Sequence, residues 1–580
     1  MNRKDFEKLL QKQKDDRDHC KEKILKSDAP RKIIVSGPGT GKTYTFTELL
    51  SLKDGNCLAL TFIKNLANKL KKDLGDYAKV RTFHSFCKEL LHAIPKTDLT
   101  DTFDLFPKLE TVIKSDANIL FDSSPKFMTS FRKIDLSNRN IDFFLKRSSY
   151  YDTVSFDDSV YRVMNFFKYH PNQIPVYTQI VVDEYQDFNK LEVEFLHILS
   201  EKSPMLIVGD DDQALYGMLK SASPEYIRNR YNDPSYAHFD LPYCGRCTLV
   251  ITQALEDIIL QAKNIGSLKN RIDKNYICYL PDKWEDSKKH PKIIHANCST
   301  QSNRAPFLAR FIAQEIAKLS PEEVRSANEK GDCTVLIAGS GHYLEQVQPY
   351  FKKLGKYKIS FREGENYRES IKIIDGYKKL IDSEMSNLGW RILLEFDHLK
   401  NTAEIIKKTE ENATLKLCEL LPADYVKKHL YIVNLLSKLE KEEKLDKSEV
   451  QNLEDAIKLK IDKIKEALIV KDEEARVDLE ENKDEISIIF STYVGCKGLS
   501  AGFVFIIGLD EKSLPRNNAS PSDTEICNFI VSLARTIKKC YLISTRFFIN
   551  KKTKQSVFIK WINPKRLHYI WADKAYLNTN

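Results

Sequence analysis

Ile33-Ile34-Val35-Ser36-Gly37-Pro38-Gly39-Thr40-Gly41-Lys42-Thr43 is a short β-branched run, then a glycine-rich turn, then Gly-Lys-Thr opening a helical pattern. Glycines 37, 39 and 41 let the backbone take tight-turn angles and bring its N–H groups onto phosphate oxygens. The following helix N-terminus adds partial positive charge. Lys42 can reach β- and γ-phosphates, and the Thr43 hydroxyl suits a magnesium ion. Residues Gly37, Pro38, Gly39, Thr40, Gly41, Lys42 and Thr43 are therefore expected to cradle a nucleoside triphosphate with Mg2+. One position departs from the G-x-x-x-x-G-K-T pattern, because Ser36 stands where the first glycine is usual.

A second run, Ile180-Val181-Val182, leads straight into Asp183-Glu184-Tyr185-Gln186-Asp187. A carboxylate at a strand end can hold the magnesium that bridges two phosphates, and Asp183 suits that task. Its neighbour Glu184 can orient and deprotonate an attacking water. An acidic pair after a strand often only caps a helix, but beside a phosphate loop it points to nucleoside triphosphate hydrolysis.

Further apolar runs lie at Leu58-Ala59-Leu60, Met205 to Val208, Thr334 to Ile337, Ile486 to Phe490, Val504 to Ile507 and Tyr541 to Ile543. Short β-branched runs alternating with helical stretches read as parallel strands buried on both faces. Two clusters separated by a long gap predict two doubly wound α/β sheets, with ligands at the carboxyl ends of their strands. Residues 1–86 and 176–289 are assigned to the first domain, with the phosphate loop, and 87–175 to a helical insertion in it. Residues 290–379 and 483–580 are assigned to the second, and 380–482 to its helical insertion. In that last stretch Leu453, Ala456, Ile457, Ile461, Ile464 and Leu468 predict one helical stripe behind a Ser448/Gln451 capping box.

Lys+Arg 91 against Asp+Glu 82 gives a net charge of +9, which permits nucleic-acid binding without arguing for it. Twelve scattered cysteines fit reduced thiols, and the Cys244/Cys247 pair has no second pair to complete a zinc site. The opening MNRKDFEKLLQKQKDD has no apolar core, and no long apolar run follows, so a cytoplasmic protein away from membranes is expected.

The phosphate loop, the Asp183–Asp187 segment and Val208-Gly209-Asp210-Asp211-Asp212-Gln213-Ala214-Leu215-Tyr216-Gly217 together resemble the UvrD/Rep/PcrA family of superfamily 1A helicases. Leu60-Thr61-Phe62, Arg81 to Phe86, Leu241 with Arg246, Lys497-Gly498-Leu499, and Glu525 with Val531 to Arg535 resemble further motifs in the family's order. The resemblance implies two RecA-like P-loop NTPase domains with helical insertions, forming an ATP-hydrolysing DNA helicase that moves 3′-to-5′ on single-stranded DNA or single-stranded tails. Gln213 would sense the γ-phosphate, Arg246 and Arg535 would clamp it as arginine fingers do, and Tyr243 and Gly498 would help hold the nucleotide. Phe62, His84 and Tyr216 would meet the nucleic acid, the aromatics by stacking.

Four departures stand out. Lys21 occupies the place of an adenine-reading Gln, and Cys244-Gly245 replaces the Asn-Tyr before Arg246. Met218-Leu219 replaces a Trp-Arg, and Thr492 to Ser500 lacks the usual His and Glu. The last departure, with helical insertions shorter than in the larger family members, motivates an alternative: a DNA-sensing ATPase subunit that unwinds weakly and controls a partner nuclease, resembling compact subunits of Gabija-type anti-phage systems. With 45 residues after Arg535, no nuclease module is expected in the chain itself. Lys551, Lys552, Lys554, Lys560 and Lys565 among Phe558, Trp561 and Tyr569 are read either as a backbone-binding segment or as a solvated tail.

Overall fold

The computed structural model describes residues 3–61, 64–75, 77–94, 103–135, 139–298, 304–362, 371–469, 483–548 and 551–579. Two parallel sheets organise it. The first contains β1 (Arg31–Val35), β2 (Cys57–Thr61), β3 (Lys79–Thr82), β4 (Gln179–Val182), β5 (Met205–Gly209) and β6 (Ala237–Phe239), in the order β3-β2-β4-β5-β1-β6. The second contains β7 (Ile293–Asn297), β8 (Cys333–Gly339), β9 (Lys358–Arg362), β10 (Ser487–Thr492), β11 (Ala501–Ile507), β12 (Thr536–Ser544) and β13 (Leu567–Trp571), in the order β9-β10-β8-β11-β12-β7-β13. Their central strands are buried throughout, as crossover helices on both faces require. The fold is α/β, with two RecA-like sheets flanked by helices.

Helices fill the two long crossovers. Leu109–Phe121, Phe127–Lys133, Arg139–Tyr150 and Phe156–Tyr169 lie between β3 and β4. Ile373–Asp382, Asn387–Asp397, Thr402–Glu411, Ala423–Glu440, Lys447–Ile457 and Ile461–Ile469 lie between β9 and β10. The helix Ile373–Asp382 straddles the boundary expected at 379/380, and it packs on Asn387–Asp397. Likewise Leu249–Asn264, which precedes the boundary expected at 289, packs on Asp523–Leu533 and Val557–Trp561 behind the second sheet. The single stripe expected over 453–468 is two helices, because Lys458 turns left-handed (φ 59°) and ends the first. Its cap is Asp446, which accepts from the Glu449 N–H (2.8 Å) while Glu449 accepts from the Asp446 N–H (3.0 Å), and not Ser448/Gln451. Both frames place a capping acceptor before the apolar stripe, and the periodicity alone does not choose between them.

One apolar core runs from the face of the first sheet through both sets of inserted helices; of the two beside the second sheet, one is its own and the other takes in Leu215, Tyr216 and Tyr276 from the first lobe. At the centre of the junction between the insertions lies Asp116, fully buried between Arg147 (2.8 Å) and Arg391 (2.7 Å). It also accepts a hydrogen bond from Tyr151 (2.6 Å), and Arg147 reaches across to Thr409 (3.1 Å). Burial alone would raise the Asp116 carboxyl, yet the two guanidinium groups hold it below the ordinary carboxylate range. Lys108–Asp375 (3.0 Å) repeats the pairing nearer the surface. Asp116→Ala would leave two buried cations facing each other, and it should destabilise the helical lobe by about 3–5 kcal/mol. The urea midpoint measures that loss; an unchanged midpoint would show that the triad adds nothing to cohesion.

Candidate nucleotide site

The loop after β1 is held from both sides. The Ser36 N–H donates to Gly209 O at the end of β5 (3.1 Å), and the Gly245 N–H donates to Gly39 O (2.9 Å). Gly39 (φ 71°) and Gly41 (φ 85°) occupy left-handed backbone angles, and Gly41 caps the helix Lys42–Ser51. Close approach matters as much as angle: a Cβ on Gly37 would stand 1.8 Å from the Tyr276 ring, and one on Gly39 would stand 2.5 Å from the Arg246 Cβ. The Lys42 ammonium donates to Ser36 O (2.7 Å) and Gly37 O (2.8 Å), so its tip curls back over the loop. Ser36 fits its unusual position because its hydroxyl accepts from Thr40 (3.0 Å).

Asp183 and Glu184 follow β4. Glu184 has a left-handed backbone (φ 56°), an uncommon angle for this residue type and one that clusters at functional sites. Its carboxylate accepts from Gln186 (2.6 Å), whose carbonyl accepts in turn from the Asp210 N–H (3.0 Å). Lys497, from the second sheet's side, stands 3.3 Å from Glu184, hydrogen-bonds Asp187 and donates to Gln213 O (2.8 Å). Burial and the neighbouring Glu184 charge push Asp183 up to about 7. Burial would raise Glu184 as well, but Lys497 and Lys42 hold it down at about 2. Two adjacent buried carboxyls that repel each other are a donor set that a divalent cation satisfies.

Gln213 links the sheets directly. Its amide donates to Asp210 (2.7 Å), and its carbonyl accepts from Arg535 (3.0 Å). Arg535 is buried, anchored on Val531 O (2.9 Å) and Leu499 O (3.2 Å). Burial and the nearby Arg246 lower it to about 10, so it stays cationic at neutral pH. Pro38 to Thr43, Asp183, Glu184, Gln213, Arg246, Gly498 and Arg535 all line one cleft. Gly37 lies just beneath, its carbonyl taken by Thr40 and Lys42. The first sheet presents the carboxyl ends of its strands to this cleft. The second presents amino ends, because Asp332, Ser500 and Arg535 immediately precede β8, β11 and β12. The expectation of carboxyl ends holds for one sheet only.

Other expected residues lie elsewhere. Tyr243 does not line the cleft; its hydroxyl donates to Asp16 (3.2 Å), and its ring packs edge-on against Tyr279 (5.7 Å). Tyr279 lines the outer cleft instead, together with Tyr44 and Arg17, whose guanidinium lies 5.6 Å from the Tyr44 ring centre. These three went unread in the sequence, although Tyr44 directly follows the Gly-Lys-Thr. Lys21, in the place of the adenine-reading Gln, pairs with Glu48 (3.0 Å). His84 is buried 3.4 Å from Glu192 and against Phe156 (4.6 Å), and Tyr216 is buried with the Lys497 ammonium over its ring (5.8 Å). Phe62 falls outside the described residues. The carboxyls of Asp210, Asp211 and Asp212 converge, but on cations: Lys274 (3.0 Å to Asp210), Arg228 (3.0 Å to Asp211) and Arg271 (2.7 Å to Asp212).

A phosphate loop, an acidic strand end and a facing arginine at the junction of two RecA-like sheets define a two-lobed P-loop NTPase. The family model described as "AAA domain" matches residues 21–218. ATP-dependent DNA helicase PcrA of Staphylococcus aureus is 22% identical over 622 aligned residues, covering 91% of this chain and 82% of that protein. DNA helicase II of Haemophilus influenzae is 23% identical, covering 83% of this chain and 77% of its own. ATP-dependent DNA helicase Rep of Buchnera aphidicola is 24% identical, covering 66% and 62%. Over most of its length the chain is similar to DNA helicases of the UvrD/Rep/PcrA type. Among the described residues no helix is long and apolar enough to cross a membrane.

Gly39→Ala should weaken ATP binding at least tenfold, because the new methyl meets Arg246 and the φ of 71° is strained for alanine. Titration with a fluorescent ATP analogue tests this, and wild-type affinity would show that the loop has room to yield.

Proposed function

We propose that the chain is an ATP-dependent DNA helicase of UvrD type that translocates 3′-to-5′ on single-stranded DNA. The observation carrying this reading is Arg535 seated on Gln213, across a cleft from Lys42 and the Asp183-Glu184 pair. Loop N–H groups and Lys42 hold the β- and γ-phosphates, and Glu184, ionised by its cationic neighbours, takes the proton of the attacking water. Gln213 orients the γ-phosphate, while Arg246 and Arg535 offset the charge that develops on it. Thr43 and Asp183 would hold magnesium, which would supply neutralisation of phosphate charge. Tyr279, Tyr44 and Arg17 flank the base, in place of the Tyr243 contact.

Because Gln213 belongs to one lobe and Arg535 to the other, ATP binding and hydrolysis change how tightly the lobes close. In this reading the DNA passes the ends of β2 and β3, near His84 and Tyr216. The burial of His84 and Tyr216 gives them the wall of that track rather than a stacking platform.

Single-stranded DNA should raise the ATPase rate many-fold, and Lys42→Ala or Glu184→Ala should abolish turnover. Arg535→Ala should lower kcat roughly a thousandfold, as loss of an arginine finger does. Steady-state ATPase assays with and without DNA decide the matter: a rate indifferent to nucleic acid overturns the motor reading. Tyr279→Ala should raise KM for ATP with little change in kcat. The departures at Met218-Leu219 and at Thr492 to Ser500 favour a second reading, an ATPase subunit regulating a partner nuclease. Robust strand displacement by the isolated chain would exclude weak solo unwinding and leave the first.

A further inference from the structure

The edge strand β13 leaves two large rings in the open. Tyr569 is 48% exposed and Trp571 42%, unusual values for aromatics on a strand that pairs with a sheet. Residues two apart share a face, and these rings lie 6.4 Å apart, centre to centre. Tyr569 is braced edge-on by His295 (5.1 Å), and the Arg546 guanidinium sits 5.9 Å from the centre of Trp571. Trp571, with the arginine beside it, stands at the carboxyl ends of the second sheet's strands, paired with Asn297, the last residue of β7, and Tyr569 lies mid-strand opposite His295. The nucleotide cleft uses the amino ends, so this face is clear of ATP.

The segment that carries it is basic, although Asp510 and Glu511 lie against the hairpin after Arg546 and Arg566 pairs with Asp257. From Thr545 onward the chain carries Arg546, Lys551, Lys552, Lys554, Lys560, Lys565, Arg566 and Lys574 against Asp573 alone. Lys551 and Lys552 are exposed on the hairpin that follows Arg546. A polyanion with flat faces at short intervals matches exposed rings interleaved with cations, whereas a protein strand adding to the β13 edge needs only backbone.

We propose that Tyr569 and Trp571 form a base-stacking platform for single-stranded nucleic acid on the second lobe, with Arg546 and the Lys551-Lys552 hairpin taking its phosphates. The platform rests on the motor reading for its ligand. It supplies stacking area that Met218-Leu219 and the buried Tyr216 do not offer.

Trp571 makes the test direct, since Trp390 and Trp561 are buried and Trp284 packs on Phe6. Titration of the full chain with oligo(dT) should quench tryptophan emission, and Trp571→Phe should remove most of the quench while preserving the strand. Tyr569→Thr with Trp571→Thr, substitutions suited to an edge strand, should raise Kd for oligo(dT) roughly tenfold or more with an unchanged melting temperature. An abasic strand of equal length should bind wild type about as weakly as oligo(dT) binds that double variant. If wild type binds oligo(dT) but the quench survives Trp571→Phe and the double variant binds equally well, the platform is overturned and the motor reading stands. If wild type binds no single strand at all, both fall.

Discussion

Buried charge is what the two lobes have to solve together. Lys42, Lys497 and Arg535 meet Asp183, Glu184 and Asp187 in one poorly solvated space, and an ionised group there is tolerable only beside its partner. Neither lobe holds a balanced set. The acids and Lys42 come with the first sheet, while Lys497 and Arg535 come with the second. Separating the lobes would strand Asp187 without its ammonium and Gln213 without its guanidinium. A triphosphate entering between them brings new negative charge close to Lys42, Arg246 and Arg535. The electrostatics of the cleft and the closure of the lobes are thus one variable, which is what a device coupling hydrolysis to movement requires.

The strand polarity explains how such a cleft can exist. Carboxyl ends of parallel strands are followed by helix N-termini and turn N–H groups, which suit phosphate, and the first sheet supplies them in the loop 36–42. The second sheet faces the same cleft with its amino ends, which carry no phosphate loop but present side chains from the preceding turns. One lobe therefore cradles the nucleotide while the other reaches in with Lys497 and Arg535, and the second sheet's carboxyl ends are left for another ligand.

Much of this was legible in the sequence, for reasons that also explain the rest. Central strands such as β5 and β11 are buried on both faces and so appear as unbroken apolar runs. Edge strands β3, β6, β9 and β13 are half exposed, mix polar with apolar residues and left no such run. Strand β7 is buried throughout yet carries His295 and Asn297, which broke its pattern. Site residues fixed by spacing, such as Lys42 and Glu184, could be read locally. Arg17, Tyr44 and Tyr279 could not, because their shared position depends on the helix Arg3–Lys26 and the segment after β6 folding against the loop. Tyr243 shows the converse: the resemblance implied that it helps hold the nucleotide, whereas the pairing of Tyr243-Cys244 with Ile277-Cys278 brings Tyr279 to the cleft wall instead.

The helical insertions constrain where movement can occur. Asp116, Arg147 and Arg391 knit the two insertions to each other inside a core that continues into the first sheet, although one insertion belongs by chain order to the second. Pulling that junction apart would expose continuous apolar surface and three buried charges at once. Opening the nucleotide cleft breaks polar contacts, such as Arg535 on Gln213, that water or a phosphate can replace, and it also disturbs the packing of Leu215 and Tyr216 against the second sheet's core. Motion driven there carries the second sheet, with its exposed Tyr569 and Trp571, relative to a body made of the first sheet and both insertions. A base stacked on those rings would travel with it.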